Sequence, residues 1–249
     1  VHVGLRQCVG EHPQTGRIDM RKAFHEELDR ITEELVEMTR LAGSAISRAT
    51  TALLDADVTL AESVIAADIE LDTLREHLDE TSIDLLARQQ PVATDLRMVV
   101  TAMRMASDLE RMGDLARHVA KVARLRFPNS AVPAEFRAVI VDMGRVAEGI
   151  VLKTGAIIAA RDVDAARSIE RDDDAMDDLH RRFFERIAAS DWAHGTEAAV
   201  DMTLISRYYE RFADHAVSVA HRVIYLVTGT YDANAEASHE DDEDHVRPA

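Results

Sequence analysis

Asp108-Leu-Glu-Arg-Met-Gly-Asp114 and Tyr208-Tyr-Glu-Arg-Phe-Ala-Asp214 are one segment written twice, 100 residues apart. The apolar letters drift between copies, Leu109 to Tyr209 and Met112 to Phe212, while Glu110, Arg111 and Asp114 return as Glu210, Arg211 and Asp214. A repeat that keeps three charged positions while its core letters vary points to a task for the charges. The duplication extends upstream. Asp57-Val58 opens a stretch to Asp68, and Asp162-Val163 opens one of equal length to Asp173, with Ala61 and Ala166, Ser63 and Ser168, and Val64 and Ile169 in register. Met38, Arg40 and Ala42 match Met143, Arg145 and Ala147 at the same offset of 105. Such a period is too long for a solenoid and fits a duplicated small domain of roughly 100 residues.

Composition agrees with a helical chain. Of 249 residues 47% are hydrophobic but only 4% aromatic, and Gly and Pro are few, a mixture dominated by good helix formers. No run approaches the ~18 apolar residues of a membrane span, and no secretory signal pattern appears. The lone Cys8 excludes an intrachain disulfide and fits a reducing compartment. A net charge of −17 makes nucleic acid a poor partner and favours metal cations or basic protein surfaces.

Apolar spacing places three helices in each half. The first runs from Phe24 to Asp55 through Leu28, Ile31, Leu35, Met38 and Leu41. The second starts near Val58 and ends at Gln90-Pro91, since proline cannot continue a helix interior. The third spans Ala93 to Arg124. The Pro/Asn/Ser cluster from Phe127 to Pro133 marks the domain boundary. The second half repeats the scheme over Ala134–Ala160, Val163–Ser190 and Thr196–Thr228, with Gly229 as the closing cap. The expectation is an all-α chain of two tandem, pseudo-symmetric three-helix bundles, residues 20–127 and 134–229. Residues 1–19 lack periodicity and are expected as a poorly ordered extension, with Met20 rather than Val1 as a natural start. Residues 230–249 carry an acidic run and are expected to stay solvated and disordered.

The charged positions fall into pairs one helical turn apart. Leu109, Met112, Ala116, Val119 and Ala123 form a core stripe on the third helix, and at 100° per residue Glu110 and Asp114 lie roughly opposite it. Glu210 and Asp214 stand the same way to Tyr209, Phe212, Ala216, Val219 and Val223. Both pairs are therefore expected to be exposed. Asp68 with Asp72, and Asp173 with Asp177, add a second i,i+4 pair per half, and Asp174 with Asp178 repeats the spacing one residue on. Carboxylates forced to ~4 Å repel by ~4 kcal/mol at an effective dielectric near 20, a penalty that a hard cation such as Mg²⁺, Ca²⁺, Mn²⁺ or iron removes. No Cys/His cluster supports a zinc site of that kind. One such pair is weak evidence, because about 8 arise by chance at this acid content; recurrence at equivalent positions carries the argument.

Other features have plainer accounts. Asp95 after Gln90-Pro91 reads as an acid in a helix's first turn, Arg40 and Arg145 as exposed ion pairs, and His118 and His215 as solvated side chains flanking the acids. His239 and His245 sit in the acidic tail. A carboxylate-bridged metalloenzyme is the competing reading, but it calls for inward Glu-x-x-His pairs on two helices, and Glu236 to His239 is the one instance. A helical scaffold that binds no metal is the third.

Gln90-Pro91 with Asp95-Leu96-Arg97, then Glu110-Arg111-Met-Gly-Asp114 and Glu210-Arg211-Phe-Ala-Asp214, each copy late in its repeat, resemble the PhoU family of phosphate-transport accessory and regulatory proteins over residues 20–229. The run Asp172-Asp-Asp-Ala-Met-Asp-Asp-Leu-His180 is similar to actinobacterial members. The resemblance implies two similar three-helix bundles. It implies a non-enzymatic cytoplasmic regulator, commonly homodimeric, that restrains the phosphate-starvation response by contacting the transporter's ATPase subunit and a membrane sensor histidine kinase. It also implies metal ions (iron, zinc, manganese or magnesium) on Glu110, Asp114, Glu210 and Asp214, with Asp68, Asp72, Asp173 and Asp177 as further contributors. The second repeat has Trp192-Ala-His-Gly195 where the first has its Gln-Pro…Asp-Leu-Arg segment, so the two faces need not be equivalent.

Overall fold

The structure is a computed structural model that describes residues 13–189 and 191–230. Every regular element among them is helical: α1 (Pro13–Asp55), α2 (Val58–Gln89), α3 (Thr94–Arg126), α4 (Arg137–Ala160) entered by a 3-10 turn at Ala134–Phe136, α5 (Val163–Arg167), α6 (Glu170–Ile187) and α7 (Gly195–Thr228). None is long and apolar enough to cross a membrane. The duplication is visible in atomic detail. Asp57 and Asp162 cap α2 and α5, each accepting a backbone N–H at 2.9 Å, from Leu60 and Ala165, which satisfies one of the orphan donors of a helix start. Ser63 and Ser168 bond back to the carbonyls of Leu60 and Ala165. Met38, Met143, Ala42, Ala147, Ala61 and Ala166 are all fully buried.

Two expectations need correction. α1 begins at Pro13, so the segment expected as a loose extension is helical from there; proline suits the first helical position, where its missing N–H costs nothing. Residues 1–12 and the acidic tail from 231 lie outside the described residues, as does Cys8. The helix expected over Val163–Ser190 is broken into α5 and α6 around Ser168 and Ile169 and ends at Ile187. Backbone bonds one residue shorter than the α-helical step mark the turn, Ser168 N–H to Ala165 O at 3.1 Å and Ile169 N–H to Ala166 O at 3.2 Å. Glu170 and Asp172 then stand in the first turn of α6, where the positive end of the helix dipole favours acids.

The two halves join through two antiparallel helix pairs. Along α1 and α4, a Cβ built on Gly155 would stand 2.4 Å from Thr39 Oγ1, and one built on Gly144 would stand 2.7 Å from Thr50 Cγ2; glycine is what lets these backbones meet. Along α3 and α7, Arg126 clamps Glu197 and Asp201, and Asp108 holds Arg222 at 2.6 Å and His215 at 3.2 Å. Tyr209, fully buried, bonds Thr50 at 2.7 Å across the halves. One continuous apolar cluster runs through both. α2 lies outside α1 and α3, and α6 lies outside α4 and α7.

Candidate functional site: two carboxylate grooves

α3 is packed against α1, α2 and α7, so the side opposite its core stripe faces α2 and not solvent. Gly113 sets how closely the two helices approach: a Cβ there would meet Leu71 Cδ1 at 2.4 Å and Asp68 Oδ1 at 3.3 Å. The acids expected on an exposed surface therefore line a groove. Asp68 is 8% exposed, and Glu110 and Asp114 are largely covered. The second half repeats this between α6 and α7, with Ala213, the repeat partner of Gly113, fully buried and Glu210 8% exposed. Asp68, Asp72, Glu110 and Asp114 feel one another's charge, as do Asp173, Asp177, Glu210 and Asp214. Each groove thus brings the two i,i+4 pairs of its half within reach of one another's charge. Asp174 is exposed, though its charge adds to the rise of Asp173, and Asp178 pairs with Arg181 at 2.8 Å.

The grooves differ in their counter-charge. In the first, Arg117 Nη1 stands 2.5 Å from Asp68 Oδ2, as an ion pair off the hydrogen-bond axis, and Nη2 engages Asp114. Arg111 reaches Asp114 at 3.0 Å. Burial raises the pKa of Asp68, opposed by Arg117, with Asp114 and Asp72 adding to the rise. Burial and Asp114 raise Glu110, opposed by Arg111. In the second groove, burial first and then Asp177 and Asp214 push Asp173 up to about 7. Burial and Asp214 push Glu210 up to about 8 against the pull of Arg207, which pairs with its Oε1. Asp173 Oδ1 and Glu210 Oε2 are buried without a hydrogen-bond partner, an arrangement that costs folding free energy unless a proton or a cation supplies what is missing.

Whether the residues suit a hard cation follows from this. The second groove offers an all-oxygen donor set with two unmet buried oxygens, which fits. The first does not fit as arranged, because a guanidinium already takes the place of the ion. Among the described residues no group of three or more His, Cys, Asp or Glu side chains is pre-set around a common point, so coordination in the second groove requires side-chain rotation.

The remaining candidates divide. Arg40 and Arg145 form exposed pairs with Glu37 and Asp142. Asp95 lies in the first turn of α3, but the cap residue Ala93 supplies no side-chain bond. Arg97 is instead drawn to the far end of α7, over the Tyr225 ring at 5.7 Å and against Gly229. His118 is not a solvated surface side chain: it stacks on Tyr208 with ring centroids 5.2 Å apart, and burial lowers its pKa. His215 belongs to the Asp108 pair between halves. Sequence reasoning missed Arg117. The signal was the repeat itself, which fails there: Arg117 aligns with Val217 at the offset that pairs Glu110 with Glu210.

Comparison with known proteins gives a consistent answer. The PhoU domain family model matches residues 35–123 and 140–223. The phosphate-specific transport system accessory protein PhoU homolog 2 of Mycobacterium tuberculosis is 50% identical over 212 residues, 85% of this chain and 100% of that relative. Homolog 1 of Mycobacterium leprae is 48% identical over 214 residues, covering 85% and 96%. The crystal structure of PhoU from Pseudomonas aeruginosa superposes with a TM-score of 0.75 at 28% identity, covering 83% of this chain and 100% of that one. The phosphate transport system regulatory protein PhoU from Streptococcus pneumoniae gives 0.75 at 26%, covering 84% and 98%.

Proposed function

The chain belongs to the PhoU family, and on that premise we propose that it is a regulatory adapter of phosphate uptake. It restrains the phosphate-starvation response when phosphate is plentiful, working without catalysis, in the cytoplasm and as a homodimer. It links the ATPase subunit of a phosphate transporter to a membrane sensor histidine kinase. The observation that carries the reading is the pair of matched carboxylate grooves, held in both repeats while the surrounding core letters drift. Asp173, Asp177, Glu210 and Asp214 would hold a cation (iron, zinc, manganese or magnesium), whose chemistry there is charge neutralisation. The grooves and the acidic surface around them favour basic segments of partner proteins; such complementarity speeds encounter and selects partners.

Replacing Glu110, Asp114, Glu210 and Asp214 together with Ala is expected to leave phosphate-uptake genes switched on in phosphate-replete cells. Circular dichroism of the variant should show a folded helical chain. Normal repression by that folded variant would sink the reading. Nothing in the geometry favours a metalloenzyme: among the described residues the acids line grooves between helices, and no Glu-x-x-His pairs line the bundle interior.

A further inference from the structure

We propose that Arg117 is a built-in counter-ion that closes the first groove to metal ions, so that the two repeats carry one cation site and not two. This rests on reading the second groove as a cation site. The guanidinium sits between Asp68 on α2 and Asp114 on α3, two of the four carboxylates that would hold an ion in the first groove. Its repeat partner is Val217, which is 6% exposed and uncharged. The surroundings are biased the same way. Arg75 and Lys121, whose charges act on Glu110 and Asp68, align with His180 and His221 at the offsets of their helices. His180 is committed to Ser206 at 2.7 Å and His221 to Glu170 at 3.1 Å. Arg207 is the second groove's ion-paired arginine, and it holds one oxygen of Glu210 while the other is buried and unmet. A fixed guanidinium already supplies the charge that an ion would bring, and an incoming ion would have to displace it against like-charge repulsion.

The test titrates manganese(II) alone into the metal-free full chain and counts bound ions by electron paramagnetic resonance and elemental analysis, after circular dichroism confirms folding. Wild type is expected to show one class of tight sites, lost on combining Asp173→Asn with Glu210→Gln. Arg117→Val, which installs the residue of the other repeat, and Arg117→Gln are each expected to double the ion count. The added class should vanish with Glu110→Gln and Asp114→Asn, and Arg117→Lys should bind as wild type does. A wild type that fills both grooves, and loses half its ions with Glu110→Gln and Asp114→Asn, overturns the role of Arg117 and leaves the second groove's reading standing. A wild type that binds nothing, while Arg117→Val gains one class, supports Arg117 and overturns that reading. Folded Arg117 variants that gain nothing overturn the proposal. The wild-type chain also decides without any variant: magnesium should shift the carboxylate carbon resonances of Asp173 and Glu210 but not those of Asp68 and Glu110, and movement of Asp68 overturns it.

Discussion

Between α2 and α3, Asp68 and Asp114 share the guanidinium of Arg117; between α6 and α7, Asp173 and Asp214 occupy the same repeat positions and Val217 stands where the guanidinium would be. The difference appears in the protonation of the acids. Asp68 and Glu110 are raised by burial but held back by Arg117 and Arg111, whereas Asp173 and Glu210 reach about 7 and about 8. Two copies of one four-carboxylate groove thus part company through their neighbours, with the carboxylates themselves unchanged: Val217 stands in place of Arg117, and Asp174 and Glu170, whose charges add to the rise of Asp173, align with Ile69 and Ile65.

The largest test of this contrast is pH. A carboxyl whose folded pKa lies above its unfolded value stabilises the fold below the unfolded pKa and loses that contribution as pH rises through the folded one. For Asp173 and Glu210 the window runs from ordinary carboxylate values up to about 7 and about 8. Metal-free protein should therefore lose on the order of 3 kcal/mol across it, discounted for residual solvent exposure, read as a thermal midpoint that falls as pH rises. Glu210→Gln should flatten that fall and Glu110→Gln should change it much less. Equal effects of the two substitutions would break the contrast. A smaller effect is expected at the helix contact. Gly113→Ala drives a methyl into Leu71 and should cost about 1–3 kcal/mol in urea unfolding, while Ala213→Gly creates no clash and loses helix propensity, about 1 kcal/mol, together with the packing of one buried methyl. The smallest effects should be alike in both halves: Asp57→Ala and Asp162→Ala each remove one cap bond worth about 1 kcal/mol, and unequal losses would show that the halves differ in more than their grooves.

Much of this was legible in the sequence, and the rest was hidden for identifiable reasons. The repeat fixed the equivalence of Glu110 with Glu210 and of Asp57 with Asp162, and helical spacing found the stripe through Leu109 and Met112. The prediction that Glu110 and Asp114 face water failed because a helical wheel describes one helix. It cannot show that α3 is covered by α1, α2 and α7, or that Gly113 lets α2 bring Leu71 and Asp68 against it. The break between α5 and α6 is a local turn of i,i+3 backbone bonds at Ser168 and Ile169, below the resolution of an apolar period, and Ser63 makes the same side-chain bond as Ser168 inside an unbroken α2. Arg117 is visible only when the repeat is read for its failures.

The seam along α1 and α4 bears on how the halves recognise each other. Thr39 and Thr50 in the first half align with Gly144 and Gly155 in the second, and each threonine lies against the glycine of the opposite position. A first half meeting its own twin would set threonine on threonine, a steric collision; a second half meeting its twin would set glycine on glycine, leaving a void. Knob and socket have been parcelled out between the duplicates, so severed fragments, mixed in solution, would be driven toward the mixed pairing.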